Sequence, residues 1–255
     1  MRRWLGRLAG LAIFLLAAAW LAPTAAARFL LPSIAGALDA TLDLRGVRPI
    51  WPLGIRAARA DLSFRGHAVR LEDFSAAWDP ASYAIHARVG SGHIDARLAH
   101  SRDAALVFLD DVPLEAFALP GRAGTLELSG RVSGALRWRD GVEVSLRVSN
   151  GSLVPNPQLG FALPVQHFEL FGWRDSEGKV RVDALALDSP LIVARGTGEV
   201  SSRKELKLDL VVTQLEEPLR SLIGGGMLPP GPLRFRVAGT LEQPQLLLAQ
   251  VPPEP

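Results

Sequence analysis

Apolar and polar positions alternate with a period of two along most of this chain, the signature of strands with one dry face and one wet face. Leu136 and Trp138 alternate with Arg137 and Arg139, and Asp140-Gly141 then offers a two-residue hairpin turn. Val142, Val144, Leu146 and Val148 alternate with Glu143, Ser145 and Arg147, and Asn150-Gly151 reads as the next turn. Phe168–Arg174 is followed by a turn at Asp175-Ser176-Glu177-Gly178, then by strands over Val180–Leu187 and Ile192–Val200. Leu206, Leu208 and Leu210 alternate with Lys207 and Asp209, and Leu233, Phe235 and Val237 with Arg234 and Arg236. Upstream, Ile55–Phe64, Ala68–Phe74, Ala84–Val89, His93–Ala99 and Leu106–Leu109 read as further strands. Short strands joined by tight turns predict an antiparallel meander rather than βαβ units.

Two stretches depart from this period in the same way. Asp110-Asp111-Val112-Pro113-Leu114-Glu115-Ala116-Phe117-Ala118-Leu119 and Glu216-Glu217-Pro218-Leu219-Arg220-Ser221-Leu222-Ile223 each place acids and a proline at a helix start. There the helix dipole favours the charge and the missing N–H is tolerated. Each leads through Gly and Pro to another strand, Gly124–Val132 and Gly231–Gly239, and Pro113 and Pro218 lie 105 positions apart. The order reads as a twofold internal repeat of sheet, short helix and sheet.

The N-terminus follows neither pattern. Leu8 to Ala27 carries no charge and follows Arg2, Arg3 and Arg7. Twenty helical residues span about 30 Å, the thickness of a bilayer's hydrocarbon core. The basic flank predicts a single span with a cytoplasmic N-terminus, and Trp4 and Trp20 suit its interfaces. The competing reading is a signal peptide cleaved after the small residues Ala25-Ala26-Ala27. Against cleavage, apolar residues continue in Phe29, Leu30, Leu31, Ile34, Ala35 and Leu38. Either reading exports the rest of the chain.

The expected organisation is a tail and span over 1–27, an amphipathic connector over 28–45, a periplasmic β domain over 46–247 and a Pro-rich tail over 248–255. Within the connector, Ala26 to Ala40 reads as a short helix broken by Pro32, and Gln243 to Pro255, with four prolines, as a loose extension. The fold class is mainly β: a transmembrane helix followed by an antiparallel, curled, one-sided sheet with two short helices.

Charge sharpens this picture. The 255 residues hold 28 basic and 26 acidic side chains, for a net charge of +2. Without Arg2, Arg3 and Arg7 the balance is 25 against 26, so the exported part has no net basic field for nucleic acid. Only Lys179, Lys204 and Lys207 are lysines. There is no cysteine, which removes thiolate catalysis, thiolate metal sites and disulfides together.

No arrangement of residues points to catalysis. The chain lacks a G-x-S-x-G elbow, a Walker A loop, a G-x-G-x-x-G turn and an H-E-x-x-H helix. Gly224-Gly225-Gly226 has no following Lys-Ser/Thr and reads as a helix stop. His86, His93 and His100 recur every seven residues, an odd interval that alternates faces on one strand, so surface histidines are favoured over a zinc site. Asp110-Asp111 and Glu216-Glu217 are better explained by helix capping than by acid–base chemistry. The Asn150-Gly151-Ser152 sequon is accounted for by its turn. Trp51, Trp78, Trp138 and Trp173 are assigned to core packing or an interface. No catalytic, cofactor-binding or metal residue is assigned, and no cofactor is expected. A one-sided sheet must still bury its apolar face, under its own helices, a partner protein or lipid.

Several segments carry a family resemblance. They are the N-terminal span, Leu53-Gly54-Ile55-Arg56-Ala57, Gly124-Thr125-Leu126-Glu127-Leu128-Ser129-Gly130, and the closing Phe235-Arg236-Val237-Ala238-Gly239-Thr240-Leu241-Glu242-Gln243-Pro244. Across residues 5 to 247 the chain resembles the type II secretion system protein N (GspN) family in its shorter, AsmA-like form. These are structural motifs, so no functional residue carries over. The resemblance implies a non-enzymatic, single-pass protein of the bacterial inner membrane with a periplasmic β domain. It implies action by binding to inner-membrane components of the type II protein secretion system. The alternative implied by the AsmA-like form is a lipid-binding or lipid-transport envelope protein whose apolar β-groove holds phospholipid.

Overall fold

The computed structural model describes residues 40–50, 53–64, 67–101, 103–117, 127–154, 162–224, 228, 231–240 and 244–249. The expected membrane span lies outside the described residues, as does the short helix expected over Ala26 to Ala40 except for Ala40, which opens a strand. Among the described residues no helix is long and apolar enough to cross a membrane.

The protein is mainly β, with antiparallel strand pairing within each part. The chain divides into two compact units, the first built on residues up to His100 and the second on Ser101–Glu115 and Gly121–Pro255. Unit one contains β1 (Ala40–Arg45), β2 (Arg48–Ile50), β3 (Gly54–Phe64), β4 (His67–Trp78), β5 (Ser82–Val89) and β6 (Gly92–Ala99). β1 and β2 both pair with β3, and the ladder then runs through β4 and β5 to β6.

Unit two contains β7 (Ala104–Pro113), β8 (Glu127–Arg139), β9 (Val142–Val154), β10 (Leu163–Arg174), β11 (Val180–Asp188) and β12 (Ile192–Val200). β13 (Leu206–Leu215), helix α1 (Glu217–Gly224), β14 (Leu233–Gly239) and β15 (Pro244–Ala249) complete it. Every strand pairs with the next, from β7 with β8 to β14 with β15. The ladder thus takes in Ala40–Arg45, inside the stretch read as connector, and Pro244–Ala249, inside the stretch read as a loose extension.

The two helix starts come out differently. Glu217 opens α1, and the Glu216 carbonyl accepts from the amides of Leu219 and Arg220 at 3.1 and 3.0 Å. Asp110 and Asp111 instead belong to β7, and among the described residues of this stretch only Leu114–Phe117 turns, as one turn of 3-10 helix. The reason is a bulge. The β7–β8 register shifts between Leu109 and Val112, and Asp111 sits at φ 52°. Asp and Asn tolerate this left-handed conformation better than other side chains with a Cβ.

The same device recurs. Asp73 (φ 48°) lies at the β4–β5 shift between Glu72 and Ser75, and Asn150 (φ 51°) lies in β9 where the β8–β9 register shifts. Asn150-Gly151 is therefore not a hairpin turn but a bulge inside one continuous strand. Each bulge changes which parity faces inward. In β4, Leu71 is buried before it and Phe74 after it; in β7 the inward set passes from Leu109 to Val112. A one-residue slip sends side chains to the opposite face, so an extra residue where the apolar parity changes keeps the apolar side on one face.

The outcome is visible as apolar rows running across strands in unit two. One passes through Val112, Val132, Val148, Phe168, Leu187, Ala194, Val212 and Leu233, each opposite the next. A second passes through Gly134, Leu146, Leu170, Leu185, Gly196, Leu210, Phe235 and Leu248. Glycine is required at Gly134, where φ is +150° and a Cβ would collide with the Ser145 carbonyl oxygen.

Candidate interaction surfaces

The core is shallow because it is drawn from neighbouring strands. In unit two, Ala194, Val212, Leu233 and Phe235 form a buried cluster, with Leu187, Ile192, Leu210, Leu215 and Leu228 packed against it. Among the described residues the largest side chains excluded entirely from solvent are Val89 and Val112. Leu146, Leu170, Leu185, Leu208 and Leu210, all on the apolar face, stay partly exposed. Full burial of a leucine is worth about 1.5–3 kcal/mol, so each of these leaves part of that free energy to be gained from a cover.

The opposite face is closed by charge. Arg147 donates to Glu169 directly across β9 and β10 at 2.6 Å, and His167 Nε2 lies 3.0 Å from the same carboxylate. Arg236 pairs with Asp209 at 3.0 Å, Arg137 with Glu143 at 3.3 Å, Lys179 with Glu199 at 2.5 Å, and Arg59 with Asp61 at 2.9 Å. The hydrogen bond from Arg147, then that from His167, holds the Glu169 carboxyl below the ordinary glutamate value. Arg59 does the same for Asp61, and Lys179 for Glu199, whose bond in turn raises the lysine. These shifts come from exposed ion pairs, which stabilise the charged forms. A shallow depression on this face is lined by Ser133, Ser145, Phe171, Ala184 and Ala186 beside the Arg147–Glu169 pair.

The three histidines separate. His86 and His93, on β5 and β6, stack with centroids 5.7 Å apart, and His86 Nδ1 lies 2.7 Å from Asp95 Oδ1. His100 lies elsewhere, edge-on to Trp78 at 5.2 Å and to Tyr83 at 4.7 Å. Its Nε2 is buried with no hydrogen-bond partner among the described residues. No group of three metal-ligating side chains occurs among the described residues. The tryptophans do not fill the core: Trp78 is 54%, Trp138 55% and Trp173 40% exposed, and Trp51 lies outside the described residues. Trp78 ends β4, while Trp173 stands on the charged face between Glu143 and Arg181.

Of the segments that carried the resemblance, the N-terminal span, residues 124–126 and residues 241–243 lie outside the described residues, and parts of the others fall in strands. Leu53 precedes β3, Gly54–Ala57 opens it, and the Leu53 carbonyl accepts from the Trp78 amide at 2.7 Å. Phe235–Gly239 lies in β14, Thr240 bridges to Glu205, and Gly239 pairs with Pro244 to open β15.

Two edge strands differ in chemistry. β1 and β2 carry Asp43, Arg45, Arg48 and Pro49, and Gly46 (φ 68°) bends the chain between them. Among the described residues β15 pairs only with β14; it holds no charged residue and exposes Leu246, Leu247 and Leu248 at 49%, 49% and 46%. Charge, proline and bends are the usual protection of an edge, and only the first edge has all three. Comparison with known proteins finds no match to this chain among family models, curated proteins or solved structures.

Proposed function

We propose that this chain is a non-enzymatic component of the bacterial type II protein secretion system, held at the inner membrane by its N-terminal span with the sheet in the periplasm. The observation that carries the binding role is the one-sided sheet: bulges keep its apolar rows on one face, and that face stays partly exposed. Such a surface gains stability when a partner covers it, whereas the charged side chains of the opposite face already find partners in their own ion pairs. The secretion assignment rests on the resemblance to the GspN family. The perturbed acids on the charged face are explained by their salt-bridge partners and require no catalytic role. The test is the secretome of a clean deletion strain with periplasmic contents quantified alongside. Accumulation of secreted proteins in the periplasm supports the assignment, and normal export contradicts it.

A second reading is favoured by the continuity of the apolar rows. The second row crosses eight strands, from Gly134 to Leu248, without a charged residue. A groove of that kind suits acyl chains, as in an AsmA-like lipid carrier. Phospholipid recovered in stoichiometric amount with the purified protein supports carriage, and lipid-free protein with normal solubility contradicts it.

A further inference from the structure

We propose that β15 is a self-pairing edge through which two copies of this chain join their sheets about a twofold axis. The inference is independent of the secretion assignment. It rests first on the contrast between the two edges, because β15 lacks the charges that keep the β1 and β2 edge from adding a strand.

It rests second on register. With the twofold axis at Leu247, antiparallel pairing sets Leu247 opposite Leu247 of the second copy, and Leu246 opposite Leu248. Gln245 then faces Ala249. No like charges meet, which removes the usual penalty for pairing a strand with itself.

It rests third on the rows that end at this edge. Phe235 is opposite Leu248, where the second row ends, and Val237, itself opposite Leu208, is opposite Leu246, so two apolar rows reach β15 and stop at half-exposed leucines. In the proposed register Leu248 meets Leu246 of the second copy, and the two rows continue into each other. On the other face Leu247 follows Arg236 and Asp209, so the same operation brings only leucines together at the axis. A second copy therefore extends both faces in kind, which an arbitrary strand would not do. A six-residue strand buries little area, so the association is of the weak class that forms where copies are concentrated.

The chain's lack of cysteine makes the test direct. Full-length single-cysteine variants Leu247→Cys, Gln245→Cys and Asp43→Cys are oxidised mildly in intact cells and resolved without reductant. Directly opposed residues of antiparallel strands lie within disulfide reach, whereas the two copies of position 245 would be about 13 Å apart. The expected result is a species of doubled mass for Leu247→Cys alone, lost on reduction. Absence of that species overturns the proposal, as does equal dimer formation by Asp43→Cys or Gln245→Cys. Exclusive cross-linking of Leu247→Cys to a protein of different mass also overturns it, by showing that another strand occupies the edge.

Discussion

The two faces of the sheet solve the same problem of a single layer by opposite means. On the charged face several strands offer a neighbour a partner, as Arg147 does Glu169 and Asp209 does Arg236, so those charges are satisfied once the ladder forms. On the apolar face the ladder only aligns the leucines and valines into rows, and satisfaction there depends on depth of burial. Few side chains reach it. The difference teaches where stability and function reside. Stability is concentrated in a small set of apolar-face positions, and the remainder of that face stays partly exposed.

Substitutions can separate the two faces, beginning with the backbone beneath the apolar rows. Gly134→Val adds a Cβ that meets the Ser145 carbonyl oxygen at a φ of +150°, so we expect a loss of about 3 kcal/mol or failure to fold, read by urea denaturation. Phe235→Ala, at 5% exposure, should cost about 3 kcal/mol, while Trp173→Ala, larger but on the charged face at 40% exposure, should cost under about 1 kcal/mol. Equal losses at these two positions would break the comparison.

The bulges give a subtler pair of variants. Asn150→Ala places a Cβ without a compensating polar group at φ 51° and should cost about 1 kcal/mol, whereas Asn150→Gly should be close to neutral. The smallest effect is expected at Glu169→Gln on the charged face. Because the native Glu169 carboxyl titrates below its ordinary value of 4.5, its contribution is complete above that pH and is lost as pH falls through the lowered value. The stability difference between wild type and Glu169→Gln should therefore shrink steadily in acid, and a difference that grows would contradict the ion-pair account.

Much of the fold was legible because period two is a local property. The limits of β12 at Ile192–Val200, the turn at Asp140-Gly141 and the helix after Glu216 are all where the alternation and its punctuation put them. The bulges were not legible in the same way. A bulge inverts the parity of the residues beyond it, so Asn150-Gly151 and Asp110-Asp111 looked like ends of strands when they lie within them. The signal was present as Asp or Asn where the apolar parity changes, at Asp73, Asp111 and Asn150. The unprotected β15 was hidden for a different reason: Pro244 and the later prolines outweighed Leu246-Leu247-Leu248 in a reading by composition. The occupant of the apolar face was never encoded in the alternation, which fixes only which side is dry.

The most direct measurement of that occupancy is labelling of single cysteines by a membrane-impermeant maleimide in intact envelopes, with Leu208→Cys on the apolar face and Asp209→Cys on the charged one. To test the proposed secretion role, envelopes containing the complete type II secretion machinery are compared with envelopes lacking the rest of it. A protein-covered face predicts that Leu208→Cys is shielded in the first and reactive in the second, while Asp209→Cys reacts in both. Equal reactivity of Leu208→Cys in the two envelopes would contradict the account, and equal shielding would assign the face to lipid.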